Sequence, residues 1–335
     1  MTPPADHPAI PPRKVGVLLT NLGTPDEPSP RAVKRYLLEF LSDQRVVEIP
    51  KLAWQPILRG IILQTRPKKS AEAYGLVWTD QGSPLAAITR AQCAALQGAW
   101  GPDVVVDYAM RYGNPSIPER IDAMRAAGCE RILLAPLYPQ YCAATTATAN
   151  DRAFAHMAAK RWQPAIRTLP PYHDDPAYIG ALKTLLEAEL QALNFEPEAI
   201  VASFHGMPQR TLDLGDPYHC HCRKTARLLS EAMGRELITA FQSRFGPAKW
   251  LTPATDTVLE ELGAKGVKSV AIFAPGFSAD CIETLEELAI RGRESFEEAG
   301  GERFAYLPCL NDSPPGVEML RSILGRELAG WIAVP

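Results

Sequence analysis

One imidazole and a short row of carboxylates are the groups in this sequence best suited to chemistry. His205 stands where an apolar strand, Ala199–Ser203, runs into Phe204-His205-Gly206-Met207-Pro208. The Gly and the Pro stop the strand, so the imidazole is expected at the carboxyl end of a central strand, where open α/β sheets hold their ligands. Gly215-Asp216-Pro217-Tyr218 makes a second rigid turn shortly after. The carboxylates follow Phe277, in Ser278-Ala-Asp280-Cys-Ile-Glu283-Thr-Leu-Glu286-Glu287. A helix is expected to begin near Ser278 or Asp280, both good N-cap types. Glu283 and Glu287 are four apart and share one face, with Asp280 one turn before Glu283. Glu286 reads as a solvated residue favouring the helix dipole. A histidine with nearby carboxylates can bind or guide a divalent cation and can take up protons.

Aromatic and basic residues gather at the same sheet edge. Asn21-Leu22 follow the first strand, Lys14–Thr20. Arg111 and Tyr112 end the second, and Tyr138 and Tyr141 lie at the end of the third. Trp250 is expected to begin a strand of the second half, and Phe277 ends another. Tyr36–Leu63 is rich in large apolar groups, with Trp54, Ile57, Leu58, Ile61 and Ile62 at helical spacing. A long connection of this kind after an edge-pointing strand often forms the lip of a pocket. The combination describes a deep, mostly apolar cleft with one imidazole and one acidic row. Such a cleft suits a large planar hydrophobic ligand and a metal cation, and its apolar lip suits a membrane surface as well.

Alternating strands and helices must position these groups. Strands are expected at Lys14–Thr20, Asp103–Arg111, Arg131–Tyr138, Ala165–Leu169, Ala199–Ser203, Lys249–Thr252, Lys268–Ala274 and Arg303–Leu307, with helices between them. That alternation argues for parallel sheets covered by helices on both faces. Leu133-Leu-Ala-Pro-Leu-Tyr138 and Ile272-Phe-Ala-Pro-Gly-Phe277 match as strand, Ala-Pro, aromatic. The reading is α/β, two similar four-stranded domains facing each other. The first covers residues 13–170 and carries the lip at 36–63. The second covers 171–335, and its last helix packs back on the first. No Gly-x-Gly-x-x-Gly follows a strand and no Gly-x4-Gly-Lys-Ser/Thr occurs, which argues against dinucleotide and nucleotide-phosphate sites.

The chain has 335 residues, a formal net charge of −3 and no general basic field, so nucleic acid is not an expected partner. The Pro-rich, polar first twelve residues read as disordered and lack the order of a signal peptide. No apolar run is long enough for a membrane span, so a cytoplasmic location is expected. The seven cysteines are scattered and odd in number, which argues against a disulfide framework. Cys220-His221-Cys222 is the one cluster and the one cysteine candidate for a metal or iron–sulfur site, yet its single-residue spacing departs from Cys-x2-4-Cys.

The sequence resembles ferrochelatases, most closely the bacterial protoporphyrin-using type, from about Val15 to Trp331. The motifs that carry the resemblance are LLTNLGTP (Leu18–Pro25), YLLEFLSD (Tyr36–Asp43), GSPL (Gly82–Leu85), MRYGNPS (Met110–Ser116), YPQY (Tyr138–Tyr141), SFHGMP (Ser203–Pro208), GDPY (Gly215–Tyr218) and FSADCIETLEEL (Phe277–Leu288). The resemblance implies two Rossmann-like domains with a porphyrin cleft between them. It also implies insertion of Fe2+, as substrate, into protoporphyrin IX in the terminal step of haem synthesis. By the same resemblance His205 and Glu283 are the catalytic and metal-meeting pair, and Glu287 with Asp280 relays protons or metal. Asn21, Leu22, Arg111, Tyr112, Trp250 and Phe277 then line the porphyrin. No cofactor is implied. The chain lacks the C-terminal cysteine group of animal relatives, and Ala143 stands beside Cys142 at their internal cysteine position, so a [2Fe-2S] cluster is not expected. Cys281 receives no role. The animal-type C-terminal extension is absent, so a monomer is expected, with peripheral contact to the inner membrane through the lip. A chelatase for another tetrapyrrole or for cobalt, and a two-lobed haem-binding or metal-binding protein without catalysis, are the alternatives.

Overall fold

The structure, a computed structural model, describes residues 13–332. The Pro-rich first twelve positions and the last three lie outside the described residues. The first sheet contains β1 (Lys14–Thr24), β2 (Val104–Gly113), β3 (Cys129–Pro136) and β4 (Ala165–Thr168), in the order β2-β1-β3-β4. The second contains β5 (Ala199–His205), β6 (Ile238–Gln242), β7 (Ser269–Phe273) and β8 (Arg303–Tyr306), in the order β6-β5-β7-β8. All neighbours are parallel, and the two orders are the same permutation. In each sheet the chain reverses its direction of winding beside the first strand. The crevice at that point lies beyond the ends of β1 and β3 in one half and of β5 and β7 in the other. These four ends carry Asn21-Leu22, Tyr138-Tyr141, His205 and Phe277.

Helices cover the sheets: α1 (Pro30–Leu41), α2 (Lys51–Ile57), α3 (Leu63–Val77), α4 (Pro84–Ala99), α5 (Ile117–Ala126), α6 (Thr148–Ala158), α7 (Pro176–Ala192), α8 (Gln209–Asp213), α9 (Tyr218–Met233), α10 (Thr255–Ala264), α11 (Arg293–Glu298) and α12 (Pro314–Glu327). Local sequence explains their starts. Ser29, Asp175 and Ser313 each accept a hydrogen bond from an amide in the first turn and are each followed by Pro. That pairing satisfies an orphan donor and presets φ for the helix.

One core joins the halves. Val17, Leu19, Leu133 and Ala135 of the first sheet belong to the same buried cluster as Ile200, Ala202, Phe204, Ala271 and Phe273 of the second, with α7, α9 and α12 between. Helix α12 packs on both α7 and α4. Beyond its end, Arg167 donates to Ala329 O at 3.0 Å and lies over the Trp331 ring at 4.3 Å.

One expected strand is wrong. Lys249–Thr252 is not a strand of the sheet, and the partner of β5 is Ile238–Gln242. Trp250 makes only an isolated bridge to Pro208. Both stretches are short and carry β-favouring residues, and pairing with β5 decides between them. A second difference concerns the acidic helix. Glu283–Gly292 is a ten-residue π-helix with Ile282 at its N-cap position, so neither Ser278 nor Asp280 caps it.

Candidate active site

His205 is fixed from three sides. Its strand register pairs it with Gln242 of β6. Tyr218, from the Gly-Asp-Pro-Tyr turn, donates from its hydroxyl to His205 O at 2.9 Å. The imidazole Nδ1 lies 2.7 Å from Gly206 O. A carbonyl only accepts, so in the neutral imidazole this contact puts the proton on Nδ1 and turns the Nε2 lone pair outward from that bond. Gly206 is required for that geometry: a Cβ there would fall 2.4 Å from Gln242 O and 3.4 Å from the Trp250 ring. Trp250 therefore lies against the strand end that carries His205, with its Nε1 donating to Phe245 O at 2.9 Å. The Phe277 ring centroid lies 6.5 Å from that of His205.

Gln242 ties the imidazole strand to the acidic helix. Its Nε2 donates to Glu283 O at 2.8 Å, while its Oε1 accepts from Ser203 Oγ at 2.9 Å. The first residue of the π-helix is thus held at the edge where His205 ends. Its i→i+5 bonding widens each turn and keeps residues four apart on one face. Such helices are rare and concentrate at functional sites. Glu283 is half-buried and lies near two phenols, Tyr36 of α1 in the lip and Tyr74 of α3 just beyond it. Burial, reinforced by the Glu283 charge, pushes both phenol pKa values well above the usual range, so both stay neutral hydroxyls. Burial and then the Glu283 carboxylate also push the Cys281 thiol far up, which keeps it protonated.

The other acidic residues divide by their partners. Glu287 accepts from Ser243 N at 2.7 Å and from Ser243 Oγ at 2.6 Å. Ser243 has φ +64°, a left-handed conformation costly for a residue with a Cβ, and the two charge-assisted bonds offset that cost. Glu287 therefore anchors the loop that carries Phe245 and Trp250. Glu286 pairs with Arg291 at 3.0 Å. Asp280 is buried, with both oxygens engaged: Oδ1 accepts from Thr284 Oγ1 at 2.9 Å and from Tyr306, and Oδ2 accepts from Asn311 Nδ2 at 2.6 Å. A carboxylate so occupied suits a structural anchor better than the relay expected from sequence.

In the first half, Asn21 is buried and folds back, with Oδ1 accepting from Leu22 N at 2.9 Å and Nδ2 donating to Thr89 at 3.3 Å. Leu22 is half-buried and belongs with the lip residues, as does Ile282 at the foot of the π-helix. That cluster makes α1, α3 and the acidic helix one continuous wall. Arg111 donates to Thr148 Oγ1 at 2.7 Å and pairs with Asp43. Tyr112 is fully buried against Phe40 and donates to Asp43 at 2.9 Å, so it supports Arg111 and Asp43 from below without exposing a surface of its own. Sequence reasoning missed Asp43 as the hub of this group, although it closes the YLLEFLSD motif.

Burial acts to raise the Asp43 pKa, yet hydrogen bonds from Thr148, the Arg45 amide and Tyr112, together with the Arg111 charge, hold it below the ordinary carboxylate value. The stabilisation is therefore full above the unfolded-state pKa and is lost as pH falls through the depressed folded value. Asp43→Ala is expected to cost about 2–3 kcal/mol at pH 7. Urea melts of variant and wild type should converge in acid below that range; an equal gap at all pH values would contradict the charged role.

The lip is apolar and open. Leu52 is 94% exposed and Ile61 58%, whereas Leu58 between them is fully buried in the lip cluster. Arg66 of α3 lies 4.3 Å above the Phe245 ring, so the helix that follows the lip touches the loop that Glu287 anchors. The Cys220-His221-Cys222 cluster is corrected. Helix α9 carries it, leaving Cys220 exposed and Cys222 in the core. Residues two apart on a helix do not face each other, so these thiols do not close on one ion.

The ferrochelatase family model matches residues 14–328. The chain belongs to the ferrochelatase family. It is 55% identical to the ferrochelatase of Rhizobium meliloti (strain 1021) over 334 residues, covering 98% of each chain. It is 54% identical to that of Agrobacterium fabrum over 336 residues, again covering 98% of each. Solved structures with the same fold include SirB from Bacillus subtilis with Fe3+, at a TM-score of 0.57 and 15% identity over 95% of this chain and 96% of that one. The sirohydrochlorin chelatase SirB from B. subtilis subspecies spizizenii, in complex with cobalt, gives 0.53 and 13% over 94% and 95%. These two likenesses establish the chelatase fold; the ferrochelatase assignment comes from the sequence relatives.

Proposed function

We propose that this chain inserts Fe2+ into protoporphyrin IX, giving protohaem and releasing two protons, the terminal step of haem synthesis. The observation that carries the reading is membership of the ferrochelatase family across nearly the whole chain. It is supported by an imidazole at the end of β5, an acidic helix tied to the neighbouring strand through Gln242, and the apolar lip cluster that reaches that helix at Ile282. Insertion has two requirements: the pyrrole nitrogens must lose two protons, and the iron must shed water. His205 Nε2, whose lone pair the Nδ1 contact turns outward, is the proton acceptor. Glu283 takes protons onward or meets the incoming iron, since a carboxylate can do either. Glu287 stands next along the same face. Asp280 holds the start of the helix instead of relaying. Leu22, Trp250 and Phe277 form the apolar walls, Asn21 orders the turn at the first of them, and Arg111 with Tyr112 beneath it closes the polar end.

Fe2+ is a substrate in this reading, and no cofactor takes part. No helix among the described residues is long and apolar enough to cross a membrane. The exposed Ile49, Leu52, Ile57 and Ile61 suit peripheral contact of a cytoplasmic protein with the inner membrane. Both walls of the cleft come from one chain, so a monomer is a complete catalyst.

The test is a panel of anaerobic reactions with protoporphyrin, coproporphyrin and sirohydrochlorin, each offered Fe2+ and Co2+. Haem formation fastest with Fe2+ and protoporphyrin supports the proposal. Preference for sirohydrochlorin or coproporphyrin overturns its substrate, and preference for Co2+ overturns its metal.

A further inference from the structure

The acidic π-helix is aimed by a hydrogen-bonded bridge that starts in the other half of the protein. Gln92 of α4 is 1% exposed, and its Nε2 donates across the interface to Ser278 O at 3.0 Å and to Asn311 O at 2.8 Å. Asn311 in turn holds the segment that enters the helix. Its N–H donates to Ser278 O at 3.1 Å, its Oδ1 accepts from Asp280 N at 2.7 Å and its Nδ2 donates to Asp280 Oδ2 at 2.6 Å. Asp280 passes the constraint on, because its Oδ1 accepts from Thr284 Oγ1, one residue beyond Glu283. Ser278 adds a second tie to the first half by donating to Leu137 O at 2.8 Å.

Two features mark this bridge as more than ordinary loop packing. Asn311 adopts φ +50°, a left-handed conformation that Asn tolerates better than most residues and in which its amide reaches both groups of Asp280. Gln92 keeps its own Oε1 without a partner while both contacts run through Nε2, so its amide is spent on the two loops that flank the helix entrance. At the far end of the same short segment, Gln242 fixes Glu283 O.

We infer that Gln92 and Asn311 are positioning residues for iron insertion, which set the rotation of the first π-helical turn and hence the direction of the Glu283 carboxylate. The inference rests on the reading of Glu283 as a working group of the cleft. It predicts that side chains without any contact to substrate control turnover while leaving porphyrin binding alone. A misplacement near 1 Å can cost about a hundredfold in rate.

Asn311→Gly tests it cleanly, because glycine accepts the left-handed backbone and only the side-chain bonds are lost. Gln92→Leu removes the amide at similar volume. Protoporphyrin-binding sites are counted by fluorescence quenching, and Fe2+ insertion is measured per occupied site. The expected result is a fall in kcat of about tenfold or more for Asn311→Gly and a severalfold fall for Gln92→Leu, with KM for protoporphyrin within about twofold of wild type. Wild-type kcat per binding site in both variants overturns the inference, as does a loss confined to the number of folded, porphyrin-binding molecules. Glu283→Gln is run alongside. Full activity in that variant removes the underlying reading, whereas an inactive Glu283→Gln beside normal Asn311→Gly and Gln92→Leu removes only the inference.

Discussion

Replacement of His205 by Ala is expected to lower kcat for Fe2+ insertion by about three orders of magnitude, within the range ascribed to a positioned general base. Protoporphyrin binding should change little, because the apolar side chains proposed to hold it, Leu22, Trp250 and Phe277, stay in place. The imidazole is only half-buried, and among the described residues its side chain hydrogen-bonds Gly206 O at 2.7 Å, so its removal strands no partner beyond that carbonyl. The variant should therefore fold. Rapid quenching of porphyrin fluorescence with no haem formed is the expected signature. Turnover near the wild-type value would remove His205 from the proton-accepting role.

The second large effect is expected at Glu283. Glu283→Gln keeps the shape and the backbone carbonyl that receives Gln242, and it removes only the charge and the titratable oxygen. A loss of about a hundredfold in kcat is expected, with KM for protoporphyrin within about twofold. Tyr36 and Tyr74 report the change independently. Part of the upward displacement of their phenol pKa values comes from the Glu283 charge, so an amide at this position should let both fall. An active Glu283→Gln enzyme would make the carboxylate a bystander and shift attention to Glu287.

Much of this site could be read from residue types and spacing. His205 lies at a strand end because Gly206 and Pro208 stop the strand, and the repeated Ala-Pro-aromatic ends of β3 and β7 pointed to the twofold architecture that the two sheet orders display. What escaped depended on tertiary pairing. Ile238–Gln242 and Lys249–Thr252 are equally plausible as isolated strands, and only the ladder with β5 separates them. The π-helical turn has no signature in its amphipathic pattern, which reads as an ordinary helix, so the caps assigned to Ser278 and Asp280 failed together. Asp280 also illustrates the limit of spacing. Its position one turn before Glu283 places it near the site, but Asn311 and Tyr306, distant in sequence, engage both of its oxygens. Tyr112 adjoins Arg111 in sequence and supports it from inside the core, a role that alternation along a strand could not reveal.

The most direct test of the account is anaerobic mixing of the purified chain with protoporphyrin IX and Fe2+, following the haem spectrum and proton release together. The account predicts haem formation with two protons released per iron, at a rate far above the protein-free mixture. Tight porphyrin binding with metal insertion no faster than in the protein-free mixture would contradict it and leave a porphyrin-binding protein on a chelatase fold.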